Sequence, residues 1–311
     1  MKLFFRNLSY FTIALIVVFA VADFLYSFVA RRSCGPYSEV WWDVMTGKAK
    51  ADIVALGDSR VNTDFVPDVV DSLTSLRSYN LGSIGQHFPM QLVHYEMFRK
   101  RYGHPSLFLH FVDNWTFSKD FYLHDYFRIE PRMWQYMPWM WSRDFRWSIF
   151  RADPFFFLLA SLPWIRYQGL HPEAIRFSPR QTDRGYFPDG PKYFTPKWKN
   201  EKHHFVDRKR VKMLYREFLQ EVKNDNVDIV MVIPPFSDEY HFADGAEQKM
   251  LDNYRKISAE FNIPLLDYSG MEMCADTSCF FDEIHLKPQA ARMFCDTLIK
   301  DIMRLGLLDH E

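Results

Sequence analysis

The chain opens on one long apolar run and closes on short apolar segments of two alternating periods. Tyr10 to Ala30 is apolar with Asp23 as its one charged position, flanked by Lys2 and Arg6 before it and Arg31 and Arg32 after it. About 20 such residues make a helix that crosses a bilayer. Positive residues on both sides leave its orientation open. Ala20-Val21-Ala22 is a small-residue stretch of the kind found at signal-peptide cleavage sites. Apolar residues continue through Phe24, Leu25, Phe28 and Val29, which favours an uncleaved anchor over residues 1–32. Either targeting reading puts residues 33–311 outside the cytoplasm.

Beyond the anchor, Ala51 to Gly57 reads as a compact apolar strand ending in glycine, Asp58-Ser59-Arg60 as a loop, and Asp64 to Leu73 as a short helix. Ser78 to Leu81 is a second strand, Phe88 to Tyr102 a helix, and Leu107 to Val112 a third strand. Val211, Leu214, Tyr215, Phe218, Leu219 and Val222 recur with the spacing of one helical face. Val227 to Ile233 is a continuous apolar strand stopped by Pro234-Pro235. Met250, Leu251, Tyr254, Ile257 and Phe261 mark another helix, and Ile263 to Leu266 another strand. Pro288 opens a last helix with Ala291, Phe294, Leu298 and Ile302 inward. Strands buried on both faces and alternating with helices predict an α/β/α sandwich around a parallel sheet. Sites in such sheets lie beyond the carboxyl ends of the strands. Ser59, the segment after Val112 and the loop after Leu266 are therefore expected at one edge.

The stretch from about 115 to 200 breaks this rhythm. Seven of the nine tryptophans fall between Trp115 and Trp198, among many prolines and arginines. It reads as an aromatic-rich insertion beside the site. Phe155 to Ile165 is too short to span a bilayer and is expected to cover the core, with grazing of a membrane surface as the alternative.

Composition narrows the function classes. The 311 residues carry 38 basic and 39 acidic side chains, for a net charge of −1, which speaks against a nucleic-acid partner. The aromatic share of 18% excludes a disordered chain. Four cysteines are too few for a disulfide scaffold; Cys274 and Cys279 bracket a turn-like stretch and can close a small loop, Cys34 is isolated, and Cys295 reads as a buried apolar residue. Adjacent His203 and His204 point apart on a regular element, so no metal site is expected. No glycine-rich run leads to Lys-Ser or Lys-Thr, and no cofactor is expected.

Three separated patches carry chemistry. Gly57-Asp58-Ser59-Arg60 follows a strand, so Ser59 is exposed on a tight turn whose N–H groups can face an oxyanion. Asn80-Leu81-Gly82-Ser83-Ile84-Gly85-Gln86 has two glycines that allow close backbone approach. In Phe281-Asp282-Glu283-Ile284-His285-Leu286-Lys287-Pro288, Asp282 and His285 stand three apart, so one helical turn sets them side by side. A carboxylate orienting one ring nitrogen leaves the other free to take a proton from a serine. Glu283 and Lys287 read as solvated neighbours.

In order and placement these patches resemble the SGNH (GDSL-like) hydrolase superfamily. Gly57-Asp58-Ser59 matches its first block, with Ser59 as nucleophile. Gly85 matches the second-block glycine, and Asp282 with His285 the final Asp-x-x-His. The family pattern Gly-x-Asn-Asp at block three departs here to Val112-Asp113-Asn114-Trp115, with Asn114 as the counterpart of the third oxyanion donor. Arg60 stands where leucine is usual, as in the Gly-x-Ser-Arg variant of membrane-anchored relatives. The resemblance covers about residues 51–114 and 227–300. It implies a flavodoxin-like α/β/α sandwich, catalysis by Ser59, Asp282 and His285, and an oxyanion hole from the Ser59 and Gly85 N–H groups with Asn114.

The anchored topology further resembles extracytoplasmic members that modify cell-envelope polymers. It implies an esterase or O-acyltransferase acting on acyl esters of envelope glycans, with the membrane and a multi-spanning membrane acyltransferase as partners. The alternative is a catalytically inactive, membrane-anchored binding or scaffold protein of the same fold.

Overall fold

The computed structural model describes residues 1–30, 36–82, 84–118, 147, 150–151, 154–162, 182–188, 190–198 and 201–308. The chain divides into two compact units, residues 1–38 with 122–179, and residues 39–121 with 180–311.

In the first unit, helix α1 runs from Lys2 to Ala30. Its Lys2–Val29 stretch, whose most apolar window reaches a mean hydropathy of 2.3, is long and apolar enough to cross a membrane, a property shared by anchors and signal sequences. Arg31, Arg32 and Cys34 lie outside the described residues, as does most of the aromatic middle. Helix α6, Pro154–Ser161, exposes Phe155 and Leu158.

The second unit is a three-layer α/β/α sandwich. Helix α2, Pro36–Thr46, leads into it. Strands β1 (Ile53–Leu56), β2 (Ser78–Asn80), β3 (Leu107–Phe111), β4 (Asp228–Ile233) and β5 (Leu265–Asp267) form one sheet in the order β2-β1-β3-β4-β5, and every pair is parallel. This is the flavodoxin-like order. Alternation along each strand divides the core. Ile53, Ala55, Leu107, Leu109, Phe111, Val230 and Val232 face helices α4 (Pro67–Thr74) and α9 (Pro288–Arg304) with Val70, Phe294 and Leu298. On the other face Phe108 packs against Tyr95 and Phe218 of α5 (Phe88–Tyr102) and α7 (Lys209–Asn224). Helix α8, Ala246–Phe261, buries Met250, Tyr254 and Ile257.

The boundaries have local causes. Proline opens α4, α5 and α9, where a missing N–H costs no hydrogen bond. The helix expected over 64–73 is instead two helices, because α3 already starts at Ser59 and ends at Asp64. Pro67 disfavours helical backbone at Val66, so the chain bends there before α4 begins. Cys295 fills that bend: its thiol donates to the Asp64 carbonyl and accepts from the Val66 N–H, both at 3.1 Å. Cys274 and Cys279 are free thiols, so the small disulfide loop open to them in the sequence does not form.

Candidate active site

The turn that carries Ser59 is built by its own capping. The Asp58 carboxylate accepts the Arg60 N–H at 2.9 Å, which starts α3 directly on Ser59. Gly57 is obligatory there: a Cβ would come within 2.4 Å of Val61 and 3.1 Å of Phe111. Arg60 is buried, with its guanidinium donating to the carbonyls of Pro234 and Pro235 at 2.6 and 3.0 Å. It thereby ties the turn after β1 to the end of β4 and lies over the Phe236 ring.

The histidine comes from the loop after β5. Phe280 and Leu286 pair as an antiparallel bridge, and Phe281 donates its N–H to the His285 carbonyl at 2.8 Å. Asp282 accepts the N–H groups of Ile284 and His285, both at 3.1 Å. The local structure is thus an Asx-type turn and not the expected helical turn, because the carboxylate takes the backbone donors that a helix would use itself. The spacing of three still brings the two side chains together. His285 Nδ1 lies 2.7 and 2.8 Å from the two oxygens of Asp282, and Nε2 lies 2.8 Å from Ser59 Oγ. With a carboxylate at Nδ1, that nitrogen carries the proton and Nε2 accepts from the serine hydroxyl.

Charge around this series is set from both sides. Asp282 is buried, which alone would raise its pKa, but the His285 ring and the Lys197 ammonium hold it well below the usual carboxylate range. Lys197 forms an ion pair with Asp282. Across α3, Asp64 is buried and accepts the Leu286 N–H at 3.0 Å, tying the serine's helix to the histidine's loop. Burial pushes its carboxyl up to about 6, against the opposing pull of Arg60. Asp58 is raised well above its usual range by burial and by the neighbouring Asp113 carboxylate.

The expected oxyanion donors fare unequally. Asn114 is buried, its Oδ1 accepting from the Tyr240 hydroxyl at 3.2 Å, and its Nδ2 has no partner among the described residues. Gly85 lies in an exposed turn with a φ of +72°, a left-handed backbone that favours glycine. Its neighbour Gly82 is the glycine that packs on α3: a Cβ there would come within 2.5 Å of the Asn62 nitrogen. Asp113 lends its carboxylate to the N–H groups of Trp115 and Thr116, which shapes the turn after β3. No cluster able to hold a metal ion occurs among the described residues.

Two residues escaped the sequence reading. Glu283 is 1% exposed and not solvated: it accepts the N–H groups of Lys197 and Trp198, both at 2.9 Å. Lys197 itself sits in a segment without periodicity, and only the folded chain places it at Asp282. Beside the site, a cleft of about 660 Å³ is lined by Phe236, Tyr240, Phe242, Asp238 and Glu247 among others, and it shares Tyr240 with Asn114 and Phe236 with Arg60.

No family model matches the chain, and no curated protein sequence matches it. Among solved structures it is similar to a candidate acylhydrolase from Bacteroides fragilis, at 12% identity over 82% of this chain and 87% of that one, with a TM-score of 0.40.

Proposed function

We propose that the chain is a serine esterase or O-acyltransferase of the SGNH type, anchored in a membrane by α1 and acting on acyl esters of envelope glycans. The observation that carries this reading is the unbroken series Ser59 Oγ, His285 and Asp282, each link between 2.7 and 2.8 Å. In the reaction, Ser59 Oγ attacks the ester carbonyl while His285 Nε2 takes the hydroxyl proton. Asp282 holds the ring and balances the imidazolium. The tetrahedral oxyanion is received by the Ser59 N–H, the Gly85 N–H and the Asn114 amide. Collapse expels the alcohol, which leaves with the proton from His285. The acyl-serine then passes its acyl group to water or to a glycan hydroxyl whose proton goes to His285.

Serine-directed labelling tests this reading. The full chain in detergent micelles is expected to label with a fluorophosphonate, and Ser59→Ala or His285→Ala to remove the signal. A wild-type chain that never labels, while folded, would instead favour the inactive scaffold. Release of acetate from simple esters, measured against acylation of an added oligosaccharide, separates hydrolysis from transfer.

A further inference from the structure

The last residues of the aromatic insertion wrap the histidine loop. Gly190 lies against the Phe281 ring so closely that a Cβ would come within 2.7 Å of it. Thr195 donates its N–H to the Phe281 carbonyl at 2.8 Å. Lys197 and Trp198 donate theirs to the two oxygens of buried Glu283, both at 2.9 Å. These contacts fix the backbone at 197, and the Lys197 side chain then reaches Asp282, whose own side chain is 3% exposed. The lysine is 53% exposed, so its ammonium sits at the lip with the carboxylate behind it.

Resting on the proposed reading of Ser59 and His285, we propose that Lys197 is a positioning residue that sets the proton affinity of the His285 ring through Asp282. Asp282 faces two cations at once when the ring is protonated. The permanent one offsets part of the negative charge that favours the imidazolium, and so keeps the ring a free base to lower pH. The other charged groups facing the pair are Asp64, which bonds the Leu286 N–H, and Arg60 next to Ser59. Glu283 is turned away, both oxygens spent on backbone N–H groups. Among the described residues the ion pair to Asp282 from a lysine or arginine comes from Lys197, so the charge at residue 197 can be varied on its own.

The test is the pH dependence of fluorophosphonate labelling by the full chain in micelles. Lys197→Gln keeps the length and removes the charge. Its acid limb is expected to move up by roughly half a unit, a displacement tempered by the lysine's exposure. Labelling below the limb then falls about threefold. Lys197→Arg is expected to restore the wild-type limb. A limb that stays in place, or an arginine variant that behaves like glutamine, overturns the proposal, even if the plateau rate drops. Ring-proton titration of His285, assigned by its loss in His285→Gln, reads the same displacement without any reaction. A wild-type chain that fails to label while its His285 midpoint still responds to residue 197 therefore counts against the enzyme and for the positioning role.

Discussion

Two histidines in this molecule sit in near-identical hydrogen-bonded series. In β3, His110 Nδ1 meets the Tyr215 hydroxyl at 2.9 Å and Nε2 meets the Gln91 amide oxygen at 3.0 Å. At the strand ends, His285 meets the Ser59 hydroxyl and the Asp282 carboxylate. Each ring accepts a hydroxyl proton on one nitrogen and donates with the other, in opposite tautomers. What differs is the partner behind the ring and the access in front of it. His110 is fully buried against a neutral amide, and burial lowers its pKa to about 3, so it stays uncharged. His285 is half-buried and backed by the Asp282 carboxylate, whose negative charge can balance an imidazolium. A hydroxyl–imidazole contact alone is therefore no sign of catalysis; the proposed role of His285 rests on the anionic partner and the open side.

The contrast can be broken at its strongest point first. Asp282→Asn is expected to cut the labelling rate by about 10³–10⁴-fold, because the amide stabilises the wrong tautomer and no imidazolium. Circular dichroism should find the variant folded; a variant that labels at wild-type rate would remove Asp282 from the series. The matching change at the other histidine, Tyr215→Phe, should leave labelling unchanged. It strips the partner from a buried ring nitrogen, so urea unfolding is expected to report a loss of about 1–3 kcal/mol. Labelling that collapses with Tyr215→Phe, at unchanged stability, would mean that the two series are not independent.

The smallest effect sharpens the comparison through pH. Asp64 holds its proton more tightly in the folded chain, near 6 instead of the usual 3.8. Its carboxyl thus adds stability that is complete below pH 3.8 and lost as pH rises through 6. His110 runs the other way, since its folded pKa of about 3 lies under the usual 6.5, and its contribution fades as pH falls across that window. The two slopes offset one another in the wild type. The difference in melting temperature between wild type and Asp64→Asn isolates one of them: it should shrink from pH 4 to pH 6.5. A flat difference would mean that Asp64 is ionised throughout.

Much of the sheet was legible in the sequence because β1, β3 and β4 are mostly apolar and α7 carries one clear stripe. The Val211–Val222 face fell where periodicity placed it, and the helix expected over Phe88 to Tyr102 has those bounds. The errors fell where a side chain overrode a local pattern. Asp58 starts α3 earlier than expected by capping it, and the Asp282 carboxylate replaces a helical turn with its own hydrogen bonds. Glu283 looks solvated in sequence because its partners are backbone N–H groups eighty-odd positions away, and backbone donors leave no mark in residue identity. The same distance hid Lys197. Asn114 was legible as an amide after a strand, and its unpartnered nitrogen fits an open donor.

The returning limb of the insertion also touches the sheet at its far edge. Arg184 offers its carbonyl to the Asn80 N–H at 2.9 Å, Asn62 grips the Gly185 carbonyl at 2.6 Å, and Phe187 donates to the Asn62 carbonyl at 2.8 Å. Gly185 has no room for a side chain, since a Cβ would come within 1.8 Å of the Asn80 oxygen. One continuous stretch is therefore sewn first to the serine's helix and then to the histidine's loop. The spacing between hydroxyl and imidazole is thus braced by residues 184–198 as well as by the direct tie of Asp64 to the Leu286 N–H.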